Sequence, residues 1–210
     1  MIILDCVQGS PEWDAARLGI PSSSRFSDIL TPKGKLSASR RKYLCELLAE
    51  HALGTRQDEF QGNYWTERGL DLEAEAGARY AFQTGLTVRR VGFIYRDETR
   101  LVGCSPDWLV VDGDDIAGIA EFKCPAPKTH VGYLLGEGIG GAYWQQMQGQ
   151  LWVTGLPWVD GVSYCPGLPP SIVRTLPDPE FQAALDEAIP AFVREMLVGR
   201  ERINQLMGAK

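Results

Sequence analysis

The chain has 210 residues, 44% of them apolar, and a formal net charge of -6, which is enough apolar matter for one well-packed domain and too little length for two large ones. The acidic balance excludes a protein that grips nucleic acid with its whole surface, so any such contact needs a local basic patch. Five scattered cysteines without a CxxC, and only two histidines, exclude a disulfide framework, a zinc or iron–sulfur site and a centre built on several imidazoles.

No apolar run approaches the roughly 18 residues of a membrane span, and the opening MIILDCVQGSPEW carries no basic leader. A soluble, intracellular protein is expected. Glu12 to Ala16 reads as a short helix that ends by Gly19. Pro21 to Ser24 is a turn whose hydroxyls can cap a following helix, Arg25 to Leu30. Backbone N–H groups, serine hydroxyls and an arginine there would also make a phosphate pocket, although capping is the commoner use. From Ile29 to Cys45 there is no acidic residue, whereas Lys33, Lys35, Arg40, Arg41 and Lys42 all occur. This patch is either a DNA contact or a solvated loop and first helical turn.

Ser39 to Ala52 places Tyr43, Leu44, Leu47, Leu48 and Ala52 on one face and predicts a helix stopped by Gly54, in which His51 reads as packed rather than catalytic. Arg56 to Trp65 is a polar loop whose Phe60, Tyr64 and Trp65 serve packing or base stacking. Thr66 to Thr84 predicts a helix stopped by Gly85. Its stripe of Leu70, Glu73, Ala74, Gly77 and Ala81 puts Glu73 on the buried side and turns Glu75 away. Leu86 to Tyr95 reads as a strand, Arg96 to Thr99 as a turn, and Arg100 to Cys104 as a second strand.

The run GCSPDWLVVDGDDIAGIAEFKCP, Gly103 to Pro125, is the most informative. Apolar, partly β-branched segments at Leu109 to Val111 and Ile116 to Phe122 flank the turn-forming Asp112 to Asp115, which predicts a β-hairpin. The three acids of that turn lack the spacing of a calcium loop. Side chains alternate along a strand, so Glu121 and Lys123 share a face while Phe122 packs on the other. Desolvating that pair requires partners, and Asp107 at the hairpin's start is one. Two carboxylates and a lysine can hold a hard cation beside a phosphodiester and orient water. An edge-strand ion pair with a turn aspartate is the alternative reading of the same spacing.

Pro125 and Pro127 break the strand, and a glycine-rich segment, Gly136 to Gly141, precedes a helix from Ala142 to Thr154. There Tyr143, Gln146, Met147, Gln150 and Leu151 lie on or near one face. Trp158 to Tyr164 and Ile172 to Leu176 read as strands, and Pro179 to Met207 as a long helix that Pro190 should interrupt or kink. No repeat or linker divides the chain, so residues 1–210 are expected to form a single domain.

Pro106-Asp107 followed by Glu121-Phe122-Lys123 matches the PD-(D/E)xK nuclease signature. With its CSPD and EFKCP flanks it resembles the lambda exonuclease-like phage alkaline exonucleases, the YqaJ-type viral recombinases. Trp13-x-x-x-Arg17-Leu18-Gly19 with Ser24, Gly69-x-x-x-Glu73, and Tyr143-x-x-Gln146-x-Gln148 with Trp152-Val153-Thr154 extend the resemblance over nearly the whole chain. The resemblance implies an α/β fold, one domain with a central mixed β-sheet flanked by helices and a restriction endonuclease-like core. It also implies a 5′→3′ exodeoxyribonuclease that digests one strand of linear double-stranded DNA to mononucleotides, leaving 3′ overhangs for strand annealing. Asp107, Glu121, the Phe122 backbone carbonyl and Glu73 (alternate Glu67) would hold Mg²⁺, with Mn²⁺ substituting. Lys123 would activate water, Gln146 would border the reaction, and Arg17 and Ser24 would hold the 5′-phosphate. A homotrimeric ring, a single-strand annealing protein as partner, and a phage- or prophage-encoded protein in the bacterial cytoplasm are implied as well. A structure- or sequence-specific endonuclease and a non-catalytic DNA-end-binding module are the competing readings.

Overall fold

The computed structural model describes residues 1–57 and 64–208. In chain order its elements are β1 (Ile2–Leu4), α1 (Pro11–Arg17), a 3-10 turn (Ser23–Asp28), α2 (Arg40–Leu53), α3 (Tyr64–Thr84), β2 (Thr87–Arg90), β3 (Phe93–Tyr95), β4 (Gly103–Cys104), β5 (Trp108–Asp112) and β6 (Asp115–Lys123), followed by α4 (Pro127–Gly132), a π-helical turn (Tyr133–Glu137), α5 (Gly138–Thr154), β7 (Val159–Ser163), β8 (Ser171–Thr175) and α6 (Pro179–Gly208).

Five strands form the main sheet in the order β2-β5-β6-β7-β8, and β1, β3 and β4 form a small second sheet. The main sheet is mixed because β6 and β7 run parallel while its other pairs are antiparallel. A parallel pair needs a crossover, and α4, the π-helical turn and α5 supply it. Alternation on the predicted hairpin sorts its residues between two cores. Leu109 and Ile119 pack with Met147 and Leu151 of α5, and with Phe181, Leu185 and Phe192 of α6. Val110, Ala120 and Phe122 face Ala76 and Tyr80 of α3. Glu121 and Lys123 therefore fall on the α5 side, as the period of two requires.

Five expectations need correction. The single strand expected over 86–95 is two strands in different sheets, β2 beside β5 and β3 beside β1. The chain changes sheet at Val91-Gly92, where a Cβ on Gly92 would sit 2.3 Å from the Cys6 carbonyl oxygen, so only glycine allows the close approach. The strand expected from Arg100 shrinks to Gly103–Cys104, because Arg100 takes a left-handed φ of 54°. The segment after Pro127 is helical, and α5 begins at Gly138, before the expected Ala142. Pro190 lies within α6 without ending it; Ala188, Ile189, Phe192 and Val193 are buried around it, so packing on both sides holds the helix together. The helix expected from Arg25 is a 3-10 turn that ends at Asp28. Among the described residues no helix is long and apolar enough to cross a membrane.

Candidate active site

The hairpin register sets the site. Trp108 pairs with Ala120, and one residue before β5 the Asp107 Oδ2 accepts the Phe122 backbone N–H at 2.7 Å. The carboxylate thus takes the place of a ladder carbonyl and is fixed beside Glu121. Glu121 is buried to 1% exposure and its carboxylate is gripped by three donors. Lys123 Nζ and Gln146 Nε2 each lie 2.5 Å from Oε1, and Gln150 Nε2 lies 2.6 Å from Oε2. Each carboxylate oxygen has two lone-pair directions. Oε1 is filled, and Oε2 keeps one direction.

The charges do not balance. Burial first, and the neighbouring Glu121 charge second, push the Asp107 carboxyl well above its ordinary value, while Lys123 pulls the other way. Burial works against the Lys123 charge as well, but Glu121 and Asp107 outweigh it and raise the ammonium's proton affinity. Its Nζ also lies 5.0 Å from the centre of the Tyr143 ring. Two desolvated carboxylates sharing one ammonium leave negative charge uncompensated, and oxygen donors with such an excess suit a hard divalent cation.

Glu73 approaches from α3. Trp108 Nε1 donates to its Oε1 at 3.1 Å, and Arg90 stands 3.5 Å from the same oxygen. The indole fits against α3 because Gly77 has no side chain; a Cβ there would lie 2.8 Å from the ring. Glu73 contributes to the field on Asp107, yet among the described residues no three His, Cys, Asp or Glu side chains are gathered closely enough to hold a metal. Asp107, Glu121, Lys123 and Gln146 are brought together directly, and Glu73 stands behind them, tied to Trp108. Glu67 belongs to α3, but its side chain lies outside the described residues, as do those of Tyr64 and Trp65; Phe60 lies outside them altogether. The Phe122 ring enters the α3-side core, edge-on to Tyr80 and Trp108. Glu75 turns outward as expected, and there accepts the Tyr164 hydroxyl at 2.5 Å.

A second cluster adjoins the first through residues 103–107. Arg17 stacks on Trp13 at 3.9 Å, and Trp13 Nε1 donates to Ser105 Oγ at 2.9 Å, two residues before Asp107. Arg17 lines a small cleft with Ser22, Arg25, Tyr43, Glu50 and Arg56. Its Nε is buried with no partner among the described residues. Burial and the like charge of Arg56 lower its pKa to about 10. In the same cleft Arg25 is paired with Glu46 at 2.8 Å and Arg56 with Glu50 at 3.3 Å. Ser24 is exposed and joins the cleft through Ser22, 3.1 Å between hydroxyl oxygens.

The basic patch divides. Lys33, Lys35 and Arg41 are exposed without ion pairs among the described residues. Arg40 forks onto Glu195, both contacts at 2.8 Å, and Lys42 lies 3.7 Å from Glu46. His51 faces Asn204 across 3.1 Å. His130 is buried between Ser163 and the Pro169 carbonyl, which braces the strand end next to Lys123.

Sequence reasoning missed Gln150, Trp108 and Ser105 as parts of the site. The signal for Gln150 was its place one turn after Gln146 on the same face. Nothing local marked the two others, whose partners are 35 and 92 positions away.

Residues 12–157 match the YqaJ-like viral recombinase domain. Among solved structures, an alkaline exonuclease from Laribacter hongkongensis, LHK-Exo, is 34% identical with a TM-score of 0.81, covering 95% of this chain and 99% of its own. The same protein in complex with dAMP gives the same values. A phage related exonuclease from Haemophilus somnus 129PT is 16% identical with a TM-score of 0.59, covering 99% of this chain and 97% of its own, a likeness of fold. The mixed sheet flanked by helices is the architecture shared with these nucleases. No curated protein matches the chain.

Proposed function

The chain belongs to the YqaJ-like viral recombinase domain family, and from that premise we propose that it is a 5′→3′ exodeoxyribonuclease, degrading one strand of linear double-stranded DNA to mononucleotides and leaving 3′ overhangs for strand annealing. The observation that carries the reading is the pair Asp107 and Glu121 held beside Lys123 with an excess of negative charge. The 34% identical relative is an alkaline exonuclease solved in complex with dAMP, a nucleoside monophosphate of the kind this reaction would release.

Asp107, Glu121 through its remaining Oε2 direction, and the Phe122 carbonyl would hold Mg²⁺, with Mn²⁺ able to substitute and Glu73 contributing through water. When bound, the ion supplies Lewis-acid stabilisation of the charge that develops on the phosphate. Lys123, kept as an ammonium by the two acids, first acts as a donor that orients the attacking water; its service as a base waits until the carboxylate charge is engaged elsewhere. Gln146 spends its N–H on Glu121, and its carbonyl oxygen is left to accept from the water. Arg17, with Ser22 and Ser24 beside it, would hold the terminal 5′-phosphate. That contact gives polarity, since the Trp13–Ser105 bond ties the arginine's platform to the segment that carries Asp107.

The same proposal includes a homotrimeric ring, a single-strand annealing protein as partner, and a phage- or prophage-encoded protein working in the bacterial cytoplasm. Sedimentation at three times the monomer mass tests the ring. Digestion of a linear duplex labelled separately at each end, with and without 5′-phosphate and Mg²⁺, tests reaction, direction and cofactor together. Loss of label first from phosphorylated 5′ ends is expected, with a circular plasmid left intact. Cutting of the circle would transfer the chain to the endonucleases, and binding of ends without any cleavage would make it a non-catalytic module.

A further inference from the structure

Gln146 and Gln150 stand one helical turn apart on α5, and their amides take opposite oxygens of one carboxylate, Gln146 Nε2 on Glu121 Oε1 at 2.5 Å and Gln150 Nε2 on Oε2 at 2.6 Å. Gln150 is fully buried. Its own carbonyl oxygen is also buried and has no hydrogen-bond partner among the described residues. The opposite amide orientation would set that oxygen against the carboxylate, so the donor must face Glu121. A methionine would fill the same space and strand no acceptor. The one thing the amide does that a hydrocarbon cannot is donate to Glu121.

We propose that Gln150 is a positioning residue for the divalent cation, fixing the plane and rotamer of Glu121 so that the free direction of Oε2 is presented beside Asp107. This rests on the metal-dependent nuclease reading above. Gln150 does not touch the ion or the DNA; it removes the freedom that Glu121 would otherwise lose on binding. With Lys123 and Gln146 both on Oε1, Gln150 is, among the described residues, the one donor that orients the oxygen that is left. Partners of this kind set the affinity of the ligands they hold by about 10- to 100-fold.

The test is calorimetric titration of the intact chain with Mn²⁺ in the absence of DNA, paired with the melting temperature of the metal-free protein. Gln150→Met should raise the Mn²⁺ dissociation constant by about 10-fold or more, with some fall in the metal-free melting temperature because Glu121 Oε2 stays buried and loses its donor. Gln150→Asn, which withdraws the amide by one methylene, should lose affinity in the same way and stands in if the methionine variant does not fold. A dissociation constant within about twofold of the wild type in the folded variants overturns the proposal, and a lowered melting temperature alongside it would assign Gln150 to the scaffold. A wild type that binds no Mn²⁺ removes the metal reading and Gln150's role with it. A wild type that binds Mn²⁺ tightly yet cleaves no DNA removes the nuclease and leaves the positioning role standing.

Discussion

Among the described residues Lys123 is the one positive charge set directly against two desolvated carboxylates, so removing it should separate its chemistry from its structural role. Breaking a fully buried pair costs about 3–5 kcal/mol. With Lys123 at 23% exposure, Lys123→Met should lower the metal-free stability by about 2 kcal/mol in urea titrations. It should abolish cleavage while retaining DNA binding. Mn²⁺ should raise the melting temperature of this variant more than that of the wild type, because the ion then answers two acids with no ammonium to compete. An equal rise in both proteins would show that the Lys123 ammonium does not compete with the ion. Arg17 is tested at its own end. Arg17→Ala should bring the ratio of rates on 5′-phosphorylated and 5′-hydroxyl ends to about one by removing a charge-assisted contact, and an unchanged ratio would take it out of the pocket. That Glu121 and Lys123 share a face was legible because a period of two along β6 is a local rule, whereas Gln146 was carried by the resemblance and Gln150, one turn further along α5, was missed. The Trp13–Ser105 bond was not legible, because it joins residues 92 positions apart and neither side chain alone announces a partner.

Between residues and fold stand the places where the chain changes element, and there the sequence was least informative. Leu86 to Tyr95 is rich in β-forming residues apart from Arg89, Arg90 and Gly92, and a single glycine inside a strand pattern marks a bulge as readily as a change of sheet. What divides it is Gly92 against the Cys6 backbone, a contact between segments 86 positions apart in a fold not yet built. Gly92→Ala should therefore lower stability by about 2–3 kcal/mol, the cost of forcing a methyl into a closed packing arrangement. The loss should be read from the urea midpoint, and a neutral effect would mean that β1 and β3 are free to separate. The helix after Pro127 was hidden for a different reason. Proline at a first helical position is favourable, but beside Pro125 it reads as a breaker. The crossover that β6 and β7 require was the better argument for helix between them. Pro190 shows the converse: of the interruption or kink it predicts, the interruption is overruled by the buried residues on either side.

For the whole molecule the governing fact is a net charge of -6, which repels DNA everywhere except where cations gather. The continuous basic run in the sequence promised five such cations, and the fold withdraws part of them. Arg40 is spent on Glu195, joining α2 to α6, and it lies 5.2 Å over the Phe192 ring. Lys33 and Lys35 instead project from the tight turn that Thr31 and Gly34 close. Which charges of a patch point outward depends on the partner helix, and α6 lies some 150 positions downstream, so the sequence could locate the patch without sorting it. Each phosphate contact steepens the salt dependence of duplex binding by about 0.9 in log–log slope. If Lys33 and Lys35 each meet a phosphate, the double variant Lys33→Ala with Lys35→Ala should flatten that slope by about 1.8 while cleavage at saturating DNA stays intact. Arg40→Ala should weaken the joint between α2 and α6 by about 0.5–1 kcal/mol and leave the slope where it was. Fluorescence anisotropy of a labelled duplex across a salt series measures both, and a slope that moves with Arg40 but not with the lysines would put the DNA on the α6 side of the patch instead.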